Sequence, residues 1–203
     1  NVMPKATRNG KRIFPGYDPS RLPGSEETFQ TAGHEWGNVN NTPFRYGKVR
    51  VHEGGIASPL IVHWPEGIGD RGSLRRHTTH VVDLLPTCVE LARATYPAQY
   101  EGNTTERLQG LSLVPTFENQ SLPRETLYFE MGGNRAIRNG KWKAVVRQGL
   151  ASRLRYNVNI PLENWELYDM VNDRTETNNL AAEHPAILKP LVEEWQKWIT
   201  TYE

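Results

Sequence analysis

The sequence predicts an α/β protein that ends in a small antiparallel sheet covered by one helix. Two observations within its 203 residues support the α/β class and its ending. A short apolar run followed by an amphipathic helical pattern lies near the middle of the chain, which is typical of α/β folds. Short strand-like segments and a long amphipathic stripe then occupy the last third. We therefore expect an α/β part over residues 1–124 and a subdomain over residues 125–203.

The opening segment, residues 1–41, predicts a long loop. Its first half is rich in Gly, Pro, Lys and Arg, and each Gly or Pro interrupts an incipient helix. A loop of this length is uncommon at the start of a compact domain. The residues leave two interpretations open. The segment is either a disordered tail, or a long loop or insertion within a domain whose preceding strand lies elsewhere.

Two elements of secondary structure are predicted after this loop. The run over residues 56–65 is short, apolar and bounded by Gly-Gly and Pro, which favours a buried strand. A helix is predicted over about residues 80–92, capped by Thr78 or Thr79. It is expected to open or kink near Leu85, because Pro86 is unfavourable in the middle of a helix. The apolar stripe of this helix is Val81, Leu84, Leu85, Cys88, Leu91 and Ala92. The cysteine is therefore expected in the core, and residues 95–123 are expected to be loops.

The last third of the chain predicts an antiparallel sheet and a helix. Short strand-like segments lie at residues 127–130, 135–138, 141–147 and 165–169. Asn139-Gly140 indicates a hairpin, because both residues tolerate the positive φ of a type I′ turn. An amphipathic stripe predicts a final helix over about residues 186–202. The tryptophans expected to pack this helix on the sheet are Trp142, Trp165, Trp195 and Trp198.

Composition excludes several classes of protein. No apolar window reaches the length of a membrane span, so none is expected. One cysteine excludes a disulfide scaffold and a cysteine-based zinc site within this chain. Lys and Arg together number 24 against 23 Asp and Glu, and a net charge of +1 argues against nucleic acid as a partner.

The densest polar segment, residues 41–55, lies directly before the predicted strand, where ligands often bind in α/β folds. Arg45, Lys48 and Arg50 supply positive charge, and Gly54-Gly55 permits close approach of the backbone. Such a set suits an oxyanion such as sulfate or phosphate. Taken alone, a basic loop of this kind is also typical of a solvated surface.

The sequence of this segment closely resembles that of the type I sulfatases, the formylglycine-dependent, arylsulfatase-like enzymes. The matching text is Asn-Thr-Pro-Phe-Arg at residues 41–45, then Lys48, Glu-Gly-Gly at residues 53–55 and Ser-Pro-Leu-Ile-Val-His-Trp-Pro at residues 58–65. Further matching pieces occur in order to the end of the chain, at residues 80–87, 108–115, 135–143 and 166–181. The resemblance implies the C-terminal part of an alkaline-phosphatase-like sulfatase sandwich.

The resemblance also implies that essential parts lie outside this chain. The Cys/Ser-x-Pro-x-Arg motif that yields formylglycine is absent from the sequence, as are the acidic ligands of Ca²⁺. We therefore expect the partner of this chain to be the N-terminal portion of the same enzyme, as a separate chain or a missing segment. The chain alone is expected to be inactive, and no metal ligand is assigned within it.

Site residues follow from the resemblance one at a time. Lys48 is expected to bind a sulfate oxygen and to act catalytically by offsetting charge on the sulfuryl group. His52 is a candidate substrate contact, although His52 and Glu53 also suit a supporting role within the loop. Gly54 and Gly55 are expected to adopt positive φ in a tight turn. Arg45 suits an ion pair better than a contact with the anion.

Three further residues are candidate substrate contacts in variable loops. His34, near Trp36, lies in the segment before Asn-Thr-Pro-Phe-Arg and is expected at the entrance of the site. Asn134 and Arg135 fall in a loop that approaches the site in similar enzymes. There the sequence reads Met-Gly-Gly at residues 131–133, where many similar enzymes carry His-Glu-Gly. This departure argues against sugar recognition at that loop.

The expected activity is hydrolysis of sulfate monoesters, in which hydrated formylglycine attacks sulfur and an alcohol or phenol leaves. Two alternatives stay open at this point. One is a phosphomonoester or phosphonate hydrolase of the same superfamily. The other is a non-catalytic fragment of a pseudo-sulfatase.

Overall fold

The computed structural model describes residues 4–16, 18–22, 24–29, 33–124, 126–148 and 160–201. Its first part consists of short elements: β1 (Phe14–Pro15), β2 (Thr28–Phe29), α1 (Gly33–Asn41), α2 (Glu53–Ile56), α3 (Leu84–Leu91), β3 (Gln99–Tyr100), β4 (Asn103–Thr104) and α4 (Val114–Phe117). β1 pairs with β2 in parallel, and β3 pairs with β4 in antiparallel orientation. The loop expected over residues 1–41 therefore ends in a helix, α1, which the sequence did not indicate.

The last third folds into a four-stranded antiparallel sheet and one helix. The strands are β5 (Thr126–Met131), β6 (Asn134–Asn139), β7 (Trp142–Val146) and β8 (Glu166–Asp169), in the spatial order β5-β6-β7-β8. The helix is α5 (Pro185–Ile199). The structure thus confirms the predicted strands and the final helix. We call residues 126–148 and 160–201 the sheet–helix unit.

The hairpin between β6 and β7 forms one residue later than predicted. Asn139 pairs with Trp142, so Gly140 and Lys141 form the two-residue turn. Gly140 has a φ of 55°, and Asn139 stays in its strand. A glycine is the residue that adopts this conformation without a steric cost, which explains why the hairpin signal was correct although its centre was shifted.

Each face of the sheet is covered by a different part of the chain. On one face, Ile137, Ala144 and Leu167 pack against α5. The buried residues that α5 contributes are Leu188, Leu191, Val192, Trp195 and Ile199. On the other face, Ala136, Val145, Tyr168 and Met170 pack against Val51, which belongs to the polar segment of residues 41–55. Alternate residues along a strand point to opposite faces, so the same strands hold α5 on one face of the sheet and the polar segment on the other.

The strand expected over residues 56–65 does not form. Residues 57–64 have no regular structure, and Ile61 is 89% exposed. A buried parallel strand needs neighbouring strands on which to pair and helices that cover its faces. Among the described residues no strand lies beside this run, so its apolar composition alone does not produce one.

The helix α3 forms, but its apolar stripe faces outward. Leu85 is 50% exposed and Cys88 is exposed, so the expectation of a core cysteine is wrong for this structure. The buried face is polar instead. Asp83 accepts hydrogen bonds from the backbone N–H of His80 (2.7 Å) and Leu111 (2.9 Å) and pairs with Arg124.

The start of α3 also differs in detail from the prediction. His80, rather than a threonine, caps the preceding 3₁₀ turn at Val81–Asp83, with its side chain accepting a hydrogen bond from the backbone N–H of Val82. The helix then opens at Leu84, which agrees with the opening expected near Leu85. No helix in the described part of the chain combines the length and apolar character needed to cross a bilayer.

Candidate functional site

Within the polar segment, residues 44–55 form a loop that begins shortly after α1 and ends in α2. We call it the Lys48 loop. Its tip is a turn in which the backbone N–H of Arg50 donates to the carbonyl of Gly47 (3.0 Å). Lys48 lies at this tip and is exposed. Its ammonium forms no ion pair with any of the described residues, whereas charged side chains on both sides of it are engaged.

Two residues within two positions of Lys48 adopt the left-handed region of backbone space. Tyr46 has a φ of 63° and Val49 a φ of 82°. A β-branched residue such as Val49 rarely adopts positive φ, and such a conformation costs about 1–3 kcal/mol. The loop can therefore keep this shape only because other contacts hold it.

Gly54 and Gly55 serve close packing rather than positive φ. Neither residue is among the glycines with positive φ, so that expectation is wrong. A Cβ on Gly54 would lie 2.2 Å from the carbonyl oxygen of Arg45, and one on Gly55 would lie 1.9 Å from that of Arg50. The missing side chain of Gly54 thus lets the two ends of the Lys48 loop touch, and that of Gly55 lets the end of the loop lie against its tip.

Arg45 and His52 tie the two arms of the loop to strand β8. Arg45 Nη1 donates to the hydroxyl of Tyr168 (2.8 Å) and to the carbonyl of Glu176, and lies 3.7 Å from Glu166 Oε2. His52 is 1% exposed, and its Nε2 lies 3.1 Å from Glu166 Oε2. Burial alone would raise the pKa of Glu166, but hydrogen bonds from His52 and Tyr168 and the charge of Arg45 hold it below its ordinary value.

A buried group of charges fixes the end of the loop. Lys143 Nζ lies 3.0 Å from Glu53 Oε1 and 2.8 Å from Glu176 Oε1, and the three side chains are at most 5% exposed. Arg174 contacts the other oxygen of Glu53 (3.2 Å). Burial would raise the pKa of Glu53, but Lys143 and Arg174 outweigh it and lower that pKa. Glu176 also accepts a hydrogen bond from the backbone N–H of Glu53 (2.8 Å).

Asn134, the first residue of β6, holds the tip of the loop. Its Oδ1 accepts hydrogen bonds from Arg50 Nη1 (2.9 Å) and the backbone N–H of Gln148 (3.2 Å). Its Nδ2 donates to the carbonyl of Val49 (3.1 Å) and to that of Met131 (2.9 Å). These bonds grip the two residues that directly follow Lys48.

The predicted site residues do not all meet. His52 and Asn134 are brought to the Lys48 loop, but both are buried, at 1% and 2% exposed. Arg135 is 1% exposed and lies over the ring of Trp195 at 4.8 Å, on the helix-covered face of the sheet and away from the loop. His34 belongs to α1, and its side chain lies outside the described part; nearby Trp36 is 64% exposed. Substrate contacts by these residues stay predictions.

Sequence reasoning missed Lys143 and Glu176. One signal for Lys143 was available. It lies two residues before Val145 in the same strand, so the two side chains share a face that is otherwise apolar. A lysine there is buried and needs a carboxylate partner. The identity of its partners could not be found in this way, since they lie 90 residues before it and 33 after it.

The arrangement suits an anion rather than a metal ion. Lys48 is exposed at the tip, and Arg147 donates a hydrogen bond to the hydroxyl of Tyr46 (3.3 Å), two residues before Lys48. The carboxylates of Glu53, Glu166 and Glu176 already face cations or a histidine, and no cluster of three or more metal-ligating side chains occurs in the described ranges. These residues do not fit a Ca²⁺ site.

Comparison with known proteins gives a consistent result. Residues 44–200 match the family described as N-sulphoglucosamine sulphohydrolase, C-terminal. The chain is similar to an uncharacterized sulfatase of Schizosaccharomyces pombe, with 32% identity over 178 residues that cover 85% of this chain and 30% of the relative. It is similar to an ulvan-active sulfatase of Formosa agariphila, with 29% identity over 195 residues that cover 79% of this chain and 38% of the relative.

The fold comparison agrees. The crystal structure of Ps i-CgsB matches with a TM-score of 0.59 and 27% identity, over 78% of this chain and 32% of that one, and the same protein has been solved with k-i-k-neocarrahexaose. The predicted fold class, the C-terminal part of an alkaline-phosphatase-like fold with a small antiparallel sheet and a final helix, is confirmed. The chain spans about a third of the length of the relatives that it matches.

Proposed function

Because the chain belongs to the N-sulphoglucosamine sulphohydrolase C-terminal family and is the C-terminal portion of a sulfatase, we propose that the protein to which it belongs hydrolyses sulfate monoesters. In this proposal Lys48 binds the sulfuryl group of the substrate. An ammonium at that place offsets the negative charge that develops on the sulfuryl and leaving oxygens as the S–O bond breaks.

The observation that carries the proposal is the contrast between Lys48 and its surroundings. Arg45, Arg50 and Glu53 are all engaged with the sheet–helix unit, whereas Lys48 is exposed at the tip of a strained turn without an ionic partner in the described ranges. A fixed backbone that presents one uncompensated ammonium is suited to binding an oxyanion, because little reorganisation is then needed on binding.

The remaining parts of the reaction are proposed to come from outside these residues. A formylglycine nucleophile and a Ca²⁺ ion are implied by the family resemblance alone. The ulvan-active relative and the neocarrahexaose complex of Ps i-CgsB favour a sulfated carbohydrate over a simple aryl sulfate as the natural substrate. Met-Gly-Gly at residues 131–133, in place of the His-Glu-Gly of many similar enzymes, changes the expected substrate contact at this one loop only.

We also propose that the N-terminal portion of the enzyme covers the apolar residues that this chain exposes. Residues 57–94, here called the middle segment, expose Ile61 (89%), Val81 (71%) and Leu85 (50%). Several large apolar side chains exposed within one segment support a surface that binds another part of a protein. The chain spans only 30% of the fission yeast relative, which leaves ample sequence for such a partner.

The activity is tested with the longest natural protein that contains this chain. Sulfate release from 4-nitrophenyl sulfate and from a sulfated monosaccharide is compared with phosphate release from 4-nitrophenyl phosphate. We expect the Lys48→Ala variant to lose about 10²–10³-fold in kcat/KM on the sulfate esters, as when one oxyanion donor is removed.

The matched control is Lys189→Ala, which removes a lysine with a side chain 68% exposed on α5. This variant is expected to keep the wild-type rate. Equal rates in the Lys48 variant and the wild type would remove Lys48 from the site. Faster hydrolysis of the phosphate ester than of the sulfate esters would instead favour a phosphomonoesterase.

A further inference from the structure

We propose that Asn134 is a positioning residue for Lys48, acting through the backbone of Val49 and through Arg50, rather than a contact with the substrate. This inference rests on the proposed role of Lys48 in binding the sulfuryl group. It assigns a task in catalysis to the first residue of β6, which lies 85 residues from Val49 along the chain.

The first argument is that the side-chain amide of Asn134 has no capacity left for a ligand. An asparagine amide has two N–H donors and an oxygen with two lone pairs. All four are used within the chain, by Val49 and Met131 on the nitrogen and by Arg50 and Gln148 on the oxygen. The residue is also 2% exposed. A substrate would have to displace one of these bonds to reach it.

The second argument is the place at which these bonds act. The amide nitrogen binds the carbonyl of Val49, the residue with a φ of 82° directly after Lys48. The amide oxygen binds the guanidinium of Arg50, which also donates to the carbonyl of Gln148 (2.6 Å). One side chain therefore holds both residues that follow Lys48, at the point where the backbone is least favourable by itself.

The third argument is that Asn134 is itself held rigidly. It begins β6 directly after a tight turn in which Gly132 and Gly133 have φ of 56° and 85°. The carboxylate of Glu130 accepts a hydrogen bond from the backbone N–H of Gly133 (2.9 Å), and Met131 pairs with Asn134 across the strands. Residues in a strand of a covered sheet define positions more accurately than residues in a free loop.

The test uses the variant Asn134→Asp in the full-length enzyme. The new carboxylate keeps acceptors for Arg50 and the backbone of Gln148 but places an oxygen against the carbonyls of Val49 and Met131, where it repels both. We expect kcat/KM on 4-nitrophenyl sulfate to fall by about 10- to 100-fold, as for a small misplacement of a catalytic group. Asn139→Asp, at the exposed far end of the same strand, is the matched control and should keep the wild-type rate.

A double-variant cycle separates positioning from other roles. If Asn134 acts through Lys48, then Asn134→Asp should lower the rate by less than about 3-fold when Lys48 is already Ala, because the interaction that it supports is gone. An equal loss in both backgrounds would overturn the inference. An unchanged rate in Lys48→Ala would instead remove Lys48 from the site, which is the part of the proposed function on which the inference rests, so the two failures are distinguishable.

A rescue variant keeps the test decisive if Asn134→Asp lowers the thermal stability. Glycine adopts the φ of Val49 without strain and leaves the peptide free to turn its carbonyl away from the new carboxylate, so Val49→Gly should restore at least about 3-fold of the lost kcat/KM in the Asn134→Asp enzyme. A merely structural role of Asn134 elsewhere in the sheet would leave no such recovery, and absence of recovery therefore contradicts the inference.

Discussion

The sheet–helix unit and the middle segment both carry apolar residues at regular spacing, yet they treat them in opposite ways. In the sheet–helix unit Leu167 and Trp195 are completely buried. In the middle segment Ile61 and Leu85 are 89% and 50% exposed. The difference is that the apolar faces of the first unit meet each other within the same stretch of chain. Regular apolar spacing thus describes what a segment can bury, and a second surface determines whether it does.

The largest expected effect comes from removing a side chain that only one of the regions buries. Trp195→Ala deletes an indole at the centre of the sheet–helix core and should lower the free energy of unfolding of this chain by about 3–5 kcal/mol. Ile61→Ala in the middle segment is the matched control and should change it by less than about 0.5 kcal/mol. Urea denaturation followed by tryptophan fluorescence measures both.

The same pair sharpens the comparison in the longer protein. There Ile61→Ala is expected to cost about 2–5 kcal/mol, because the side chain would then be covered. Equal, negligible effects of this variant in both forms would contradict the proposal that another part of the enzyme docks on the middle segment.

A somewhat smaller loss is expected for the buried charges beneath the Lys48 loop. Lys143→Met leaves Glu53 and Glu176 without their shared ammonium and should destabilise the chain by about 3 kcal/mol, near the lower end for such changes because Arg174 remains beside Glu53. The double variant Lys143→Met, Glu176→Gln removes the uncompensated charge and should recover part of this loss. A larger loss in the double variant than in the single one would show that charge compensation is not the cause.

The smallest effect is a dependence of stability on pH that belongs to the sheet–helix unit and its loop. Glu53 and Glu166 have folded-state pKa values below their ordinary value of 4.5. Their contribution to stability is therefore complete above about pH 4.5 and is lost as the pH falls through the lowered values. Denaturation midpoints measured between pH 7 and pH 3 should decline below that point, and less so in Glu53→Gln.

The sheet–helix unit could be predicted closely because its signals are local. The alternation in β5–β8, Gly140 at the hairpin and the stripe of α5 each act within a few residues. Residues 56–65 gave an equally clear apolar signal, but a strand also needs partners, and the described part of the chain supplies none. The prediction of a core position for Cys88 was wrong for the same reason: no described part of the chain covers its side of the helix, which packs through Asp83 and Thr87 instead.

The candidate site was predictable only in part. Lys48 follows from the resemblance to sulfatases, and its role stays a proposal. The side chains that hold its loop are not readable from spacing, because Arg45 and Tyr168 are 123 residues apart and Arg50 and Asn134 are 84 apart. The close approach at Gly54 and Gly55 likewise depends on where the loop folds back on itself.

These long separations have a consequence for the order in which the chain becomes folded. The loop of Lys48 is anchored by residues as far along the chain as Glu176, 131 positions after Arg45. At a synthesis rate of about 5–20 residues per second, roughly 7–26 seconds pass between the appearance of the two ends. During that interval the hydrogen bonds from Arg45 and Glu53 to Glu176 cannot form, so the strained turn is held only in part. Lys48 therefore gains the full support of its loop only after the chain has been made through Glu176, and a chain released earlier lacks that support.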